Sequence, residues 1–444
     1  MNKKITPFMF YIAFVASLGG FLFGFDTIVI SGADKGIQAQ YALSDFLHGF
    51  TMATALFGTI AGALFCGKPA EKLGRIESLK IIAYLYFISA LGCALVVNWY
   101  ALIIFRFMGG LAVGASSVVG PMYIAEISPS QWRGRFVGFF QFNIVLGALC
   151  SYISNWYISS LNLGANDWRI MLGVLALPAF LFAVLLFTVP ESPRWLVKYG
   201  KEEKAYNVLD KVGGANIAET FATIKSSLCA TSISERLFQS KYFKPLLIAF
   251  FISTFNQWSG INAINYYAPR ILETAGIGRG SAMFQSMFIG VANLIFTIVG
   301  MVLIDCVGRK KLLYVGSVFM TIALCGVSYG FFNGQAVSGY YMLGFLMLYI
   351  GAFGASMGAV IWVLIAEVFP NSVRAKGQVF GSMVHWVWCA IITWIFPIVV
   401  ESGFATYTFG VFALMSALTF VFALKLPDTS EKSLEEIQKE LVGK

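Results

Sequence analysis

The sequence predicts an all-α polytopic membrane protein with twelve transmembrane helices in two pseudo-symmetric six-helix halves. Three observations predict it. Of the 444 residues 58% are hydrophobic and only 12% charged, with a mean hydropathy of +0.76, a balance foreign to soluble domains. Apolar stretches of ~20 residues, the length at which a helix crosses ~30 Å of hydrocarbon, recur along the whole chain, as around Leu177–Val189, Leu246–Phe255, Leu343–Ala355 and Val411–Leu424. A single sizeable polar stretch, 191–244, divides them six and six.

Lys3 and Lys4 precede an apolar stretch that runs past Gly20 and contains Asp26, without a small-residue cleavage site. It reads as a retained first span near 8–31, not as a secretory signal. Further spans near 47–67, 79–97, 101–124, 135–159 and 169–189 complete an N-terminal half, 1–190. The stretch 191–244 holds helix-forming segments such as Lys201–Lys211, broken by Gly213 and Gly214, and reads as a cytoplasmic linker with short helices. Spans near 246–273, 283–304, 312–332, 340–366, 376–400 and 404–425 form the C-terminal half, 245–426, followed by a cytoplasmic tail, 427–444.

The cations fix the orientation. Lys3, Lys4, Lys68, Lys72, Arg75, Lys80, Arg133, Arg135, the nine between Arg194 and Lys244, Arg309 to Lys311, Arg374, Lys376 and the lysines from Lys425 onward fall on one side. Lys35, Arg169, Arg270 and Arg279 fall on the other, and Arg106 lies within a span. By the positive-inside rule both termini are cytoplasmic, in a cell (inner) membrane. The net charge of +9 therefore reflects topology, and no nucleic-acid partner is expected. Seven scattered cysteines, without paired spacing, indicate neither disulfides nor a metal, and read as small apolar packing residues.

Short motifs recur in the two halves. Glu71-Lys-Leu-Gly74-Arg75 after span 2 is echoed by Asp305-Cys-Val-Gly308-Arg309 after span 8, an acid followed three residues later by Gly and a cation. Ile124-Ala-Glu126 with Arg133 is likewise echoed by Ile365-Ala-Glu367 with Arg374. Two echoes at matching positions indicate internal duplication, a plan in which a carried substrate sits between halves.

These motifs, together with Phe23-Gly-Phe-Asp26 and Ser31-Gly32 in span 1, Pro190-Glu-Ser-Pro-Arg194-Trp after span 6, Gln257-Trp-Ser-Gly260-Ile-Asn262 with Tyr266-Tyr267 in span 7, and Pro427-Asp-Thr429 before Leu434-Glu-Glu436, resemble the sugar porter family of the major facilitator superfamily over nearly the whole chain. The resemblance implies the major facilitator fold and carriage of a monosaccharide by alternating access. It also implies function as a monomer in a lipid bilayer, without cofactor.

Polar side chains inside spans are costly unless paired or facing water, so each is a candidate; helix-helix hydrogen bonding is the alternative. Gln141, Gln257, Asn262 and Asn293 are uncharged amides that donate and accept, as an uncharged sugar requires. They match the family's sugar-contacting positions. Asn256 stands where most members have Gln, which shortens the reach. Trp362 and Trp386 offer flat faces to a pyranose ring, and Trp362 precedes Val-Leu-Ile-Ala-Glu367 as the family's binding Trp does. His385, beside Trp386, occupies a usual Asn or Gln position; as a neutral imidazole it both donates and accepts. The family's Pro in span 10 is missing near Gly358 and Ala359, so a break there is expected to rest on Gly351, Gly354 and Gly358.

Asp26 in span 1 has Arg106 in span 4 as its natural partner. In the family's proton symporters an acid stands at this position opposite an Arg, whereas passive facilitators carry an amide. A neighbouring cation favours the ionised acid, desolvation the neutral one, and protonation frees the Arg; proton symport follows, with a uniporter holding a permanent pair as the alternative. Phe23, Tyr266 and Tyr267 fall on the family's gating positions. Glu71, Arg75, Glu126, Arg133, Arg135, Asp305, Arg309, Glu367 and Arg374 lie at cytoplasmic helix ends, where the family places inter-helix pairs that close the inward gate. Glu71 and Lys72 replace the commoner Asp and Arg, and Lys lacks the bidentate fork.

An enzyme lacks support in the sequence: no nucleophile-base pairing, metal spacing or phosphate loop is visible, and His48 and His385 are far apart. A sugar sensor of the same fold usually carries a long cytoplasmic tail, and the stretch after Leu426 is short. Hexoses, pentoses and polyols share these amide contacts, so the individual sugar is left open.

Overall fold

The computed structural model describes residues 6–129, 132–213, 217–229, 235–334, 337–370 and 372–426. Lys3, Lys4 and the tail motifs lie outside them, as does the side chain of Asp305. All regular structure among the described residues is helical. The first half runs α1 (Pro7–Gln40), α2 (Asp45–Phe65), a short α3 (Gly67–Leu73), α4 (Arg75–Leu95), α5 (Trp99–Ile127), α6 (Arg133–Ser160), α7 (Asp167–Val174) and α8 (Ala176–Leu185). The polar stretch holds α9 (Pro193–Lys198), α10 (Glu202–Val212) and α11 (Ile217–Cys229). The second half follows as α12 (Phe243–Trp258), α13 (Ile261–Thr274), α14 (Arg279–Val307), α15 (Arg309–Asn333), α16 (Gly339–Ala355), α17 (Met357–Glu367), α18 (Arg374–Val399) and α19 (Ala405–Lys425).

Among the described residues ten helices are long and apolar enough to cross a membrane. One of these, Arg374–Lys425, is two spans, α18 and α19, joined by the π-turn Val400–Phe404. The seventh span is absent from the ten because it is broken into α12 and α13, each too short alone. Twelve crossings result, as the hydropathy predicts.

Helix ends and breaks follow local chemistry. Asn98 caps α5 by accepting the Tyr100 amide at 2.8 Å, and Ser338 caps α16. Pro178 in the first turn of α8 lacks the N–H that would reach the Val174 carbonyl, so α7 stops there. The break in span 10 falls at Ser356 (φ −130°, ψ −90°), between Gly354 and Gly358, with the Ser356 hydroxyl donating to the Ala352 carbonyl at 2.5 Å. The predicted glycines flank the break, and a serine makes it.

The chain forms two compact units. One takes in the described residues within Met1–Thr27, Phe57–Ser151 and Arg169–Ser232. Its helices approach closely through glycine: a Cβ on Gly24 would lie 1.8 Å from the Ile144 carbonyl oxygen, and one on Gly147 would lie 2.1 Å from that of Phe21. The other unit takes in those within Ile28–Leu56, Tyr152–Trp168 and Ile233–Lys444. There Ser253 donates to the Gly381 carbonyl at 3.0 Å and the Trp388 indole to Thr254 at 3.1 Å, tying α12 to α18. Large apolar side chains such as Leu95, Leu177, Leu414 and Leu424 remain exposed on the helices, as a lipid-facing surface requires.

Candidate substrate and proton site

The site in the second unit is built around the break in span 7. Gly260 sits in the left-handed region at φ 89°, and a Cβ there would meet the Phe412 ring at 2.3 Å, so the chain turns at a residue without a side chain. Gln257 and Asn262 flank the turn. Asn262 Nδ2 donates to Gln257 Oε1 at 2.7 Å, and Gln257 Nε2 donates to Asn256 Oδ1 at 3.1 Å. The same amide nitrogen lies 3.1 Å from Nε2 and 3.2 Å from Nδ1 of His385, which arrives from α18. An amide N–H needs a ring nitrogen with a free lone pair, so this contact selects a neutral imidazole.

Aromatic rings close around His385. Its ring is 4.9 Å from that of Trp362 on α17 and 5.0 Å from that of Trp386. His385 and Trp386 are buried, while Trp362 keeps 39% of its surface exposed. Three amides, an imidazole and an accessible indole face are thus brought together: donors and acceptors without charge beside a flat apolar surface, the chemistry of a polyhydroxylated ring. Asn293, on α14, accepts from Thr297 Oγ1 at 3.3 Å, and Gln141 is half-buried on α6 in the first unit.

Of the predicted gating aromatics, Tyr267 donates to the Thr393 carbonyl at 3.0 Å and stacks on Phe396. Its backbone leaves the helical region (φ −122°, ψ 19°) two residues before Pro269. Tyr266 is buried, and Phe23 is half-buried on α1.

Asp26 and Arg106 meet inside the first unit. Arg106 Nη1 donates to Asp26 Oδ1 at 3.2 Å, with the side chains 2% and 4% exposed respectively. This exceeds the 2.7–2.9 Å of a tight charge-assisted bond. Arg106 Nε and Nη2 are buried without a hydrogen-bond partner among the described residues. The pair is therefore loosely made at a depth where a full pair of charges is costly.

The repeated cytoplasmic motifs make matching inter-helix bonds. Arg75 Nη2 donates to Glu126 Oε1 at 2.7 Å and its Nη1 to the Ala70 carbonyl at 3.2 Å; Arg309 Nη2 donates to Glu367 Oε1 at 3.0 Å and its Nη1 to the Ile304 carbonyl at 3.2 Å. Arg133 and Arg374 each bond a nearby carbonyl, those of Ala125 and Phe369, while Arg135 lies over the Trp132 ring. Glu71 pairs with Lys198, and that bond and charge hold its carboxyl below its usual range.

Sequence reasoning assigned no role to two sets of residues. Glu191, inside the Pro190-Glu-Ser motif, accepts the backbone amides of Arg75, Ile76 and Ser192 at 3.0, 3.0 and 2.7 Å, capping α4 from a distance in sequence. Asp34 and Glu401 pair with Arg270, and His48 pairs with Asp34. The only signal for these was an arginine just beyond Tyr266-Tyr267, on the side with few cations.

The chain matches the family model described as sugar (and other) transporter over residues 12–441. It is 34% identical over 482 residues to the D-xylose-proton symporter of Escherichia coli K12, covering 99% of this chain and 97% of that protein. It is 36% identical over 442 residues to the arabinose-proton symporter of Bacillus subtilis, covering 97% and 95%. The inward open structure of the xylose transporter XylE from E. coli superposes with a TM-score of 0.87 at 34% identity, over 98% of this chain and 100% of that one. With the fold, the repeated motifs and the whole length in agreement, the chain belongs to the sugar transporter family, the sugar porters of the major facilitator superfamily.

Proposed function

We propose that this transporter imports a monosaccharide across the cell (inner) membrane by proton symport, as a monomer with both termini cytoplasmic. The buried, loosely made Asp26–Arg106 pair carries the reading. Ionised Asp26 holds Arg106; a proton on Asp26 removes the charge and leaves Arg106 free to move. Coupling arises when sugar and proton favour the same conformer. The names of the two symporter relatives support it, and Asp26 is retained where a facilitator would carry an amide.

The sugar is bound by Gln257, Asn262, His385 and Asn256, with Trp362 and Trp386 against its ring and Gln141 and Asn293 as further contacts. Phe23, Tyr266 and Tyr267 gate this site. The ion pairs at Arg75 and Arg309 with their neighbouring acids close the inward side, and two six-helix halves joined by 191–244 move in alternation.

Proteoliposomes carrying Asp26→Asn test the coupling. Uphill accumulation of labelled sugar driven by a pH gradient is lost while sugar exchange between compartments persists. Uphill accumulation that survives the substitution overturns symport through Asp26 and leaves a permanent structural pair.

A further inference from the structure

The second unit also buries a group of charges outside the amide site. Asp34 on α1, His48 on α2 and Arg270 on α13 are 2%, 0% and 5% exposed. Arg270 Nη1 donates to both carboxylate oxygens of Asp34, at 3.1 and 3.2 Å. Its Nη2 donates to Gln38 Oε1 at 2.9 Å and to Glu401 Oε1 at 2.8 Å, with Nε adding a bond to Glu401 at 3.1 Å. Every nitrogen of the guanidinium is engaged. His48 Nε2 lies 2.5 Å from Asp34 Oδ1, whereas its Nδ1 is buried without a hydrogen-bond partner among the described residues. His48 thus meets Asp34 through Nε2 and holds it toward Arg270.

The elements joined here adjoin breaks in the helices. Arg270 stands on α13, which is separated from α12 by the turn at Gly260. Glu401 stands on the π-turn, whose Gly403 adopts φ 83°. Lys35 and Glu273 add a second bridge between α1 and α13, Asp45 accepts from Gln38, and the Trp394 indole of α18 donates to the Phe46 carbonyl at 3.1 Å.

We infer that Asp34, Arg270 and Glu401, with His48 as a positioning residue, form a latch that holds the outer end of the pathway shut. The reading rests on the orientation and alternating access proposed above. The guanidinium of α13 bonds α1 and the π-turn, with α2 joined through Asp34, and opening outward requires parting charges that are satisfied here. A buried pair of this kind costs its desolvation when made and leaves an uncompensated charge when one partner is lost, so its value lies in selecting one conformer.

Spin labels on cysteines at Gln40 and Thr274, exposed positions at the ends of α1 and α13, report the latch by pulsed dipolar distance measurement in full-length protein whose native cysteines are replaced. Asp34→Asn and Arg270→Gln are each expected to add a population longer by about 5 Å, one helical turn of displacement. The charge exchange Asp34→Arg with Arg270→Asp is expected to return it toward the parent distance. His48→Gln, which keeps a donor, is expected to remain closer to the parent than His48→Ala. Size-exclusion profiles identify any variant that fails to fold; Glu401→Gln, whose parent side chain is 44% exposed, then carries the same comparison. Unchanged distances in folded Arg270→Gln and Glu401→Gln overturn the latch. Because the readout needs no sugar, a wrong substrate assignment leaves it intact and shows itself only in uptake.

Discussion

Gln257 and His385, 128 residues apart, share a hydrogen bond that only a neutral imidazole can accept. The contact ties the broken seventh span to α18 and presents donors and acceptors without charge beside Trp362. It places His385 beside the amides proposed above to bind the sugar.

His385→Gln should preserve sugar uptake while changing KM and the order of preference among sugars, because the amide has a different reach. His385→Ala should raise KM by roughly 2–10-fold, the loss of one net hydrogen bond. Initial uptake rates over a panel of labelled hexoses and pentoses measure both. An Ala variant indistinguishable from the parent on every sugar removes His385 from the site.

Gly260→Ala should destabilise the protein by at least about 1–2 kcal/mol, the strain of a left-handed residue, with the clash against Phe412 added. Thermal unfolding in detergent should show a lower midpoint, and transport should fall with it. Gly276→Ala is the control, since its φ of 88° carries the same strain while a Cβ there meets open space. The difference between the two isolates the packing against Phe412.

Arg75 and Glu126 should couple by about 1.5–3 kcal/mol, as hydrogen bonds to charged groups do, in a double-mutant cycle with Arg75→Ala and Glu126→Gln. Arg309 with Glu367 should give a similar value, because the two sites repeat each other's bonds. Arg75→Lys should retain only part of the coupling, since Lys offers a single nitrogen where Arg75 reaches Glu126 and the Ala70 carbonyl from two.

The Glu71–Lys198 pair sets a small dependence on pH. Its partner holds the Glu71 carboxyl below the ordinary value of 4.5. The contribution is therefore present above that value and is lost as pH falls through the lower folded-state value. The melting difference between the parent and Glu71→Gln should be measurable at pH 7 and should shrink in acid. Both side chains are largely exposed, so added salt should shrink it too.

Much of this molecule was legible in its amino acids because the bilayer makes hydropathy a nearly complete guide to crossings. All twelve spans stand where the apolar runs lie, with the first running on to Gln40 instead of ending near 31. Asp26 and Arg106 could be matched because few ionised groups fall inside spans, which leaves few candidate partners. Gln257 and Asn262 were legible as uncharged polar residues of span 7; that they bond one another was not, since it depends on how Gly260 turns the chain. Asp34, His48, Arg270 and Glu401 escaped notice because each looks like an ordinary end-of-helix polar residue. Only packing brings positions 34, 48, 270 and 401 to one place. Glu191 escaped for a related reason: capping is normally sought next to the helix it serves, and this carboxylate reaches α4 from beyond α8.

The turn at Gly260 sets α13 off as a lever that bends again at Tyr267. Fourteen residues span about 21 Å, so a tilt of about 15° at the pivot carries the far end through about 5 Å, an arc typical of switching helices. The fulcrum lies between Gln257 and Asn262, where the proposed sugar is held, and Arg270 rides near the tip. A tilt of that size, started by a small adjustment around the proposed sugar, would be large enough to part the Arg270 guanidinium from its carboxylates.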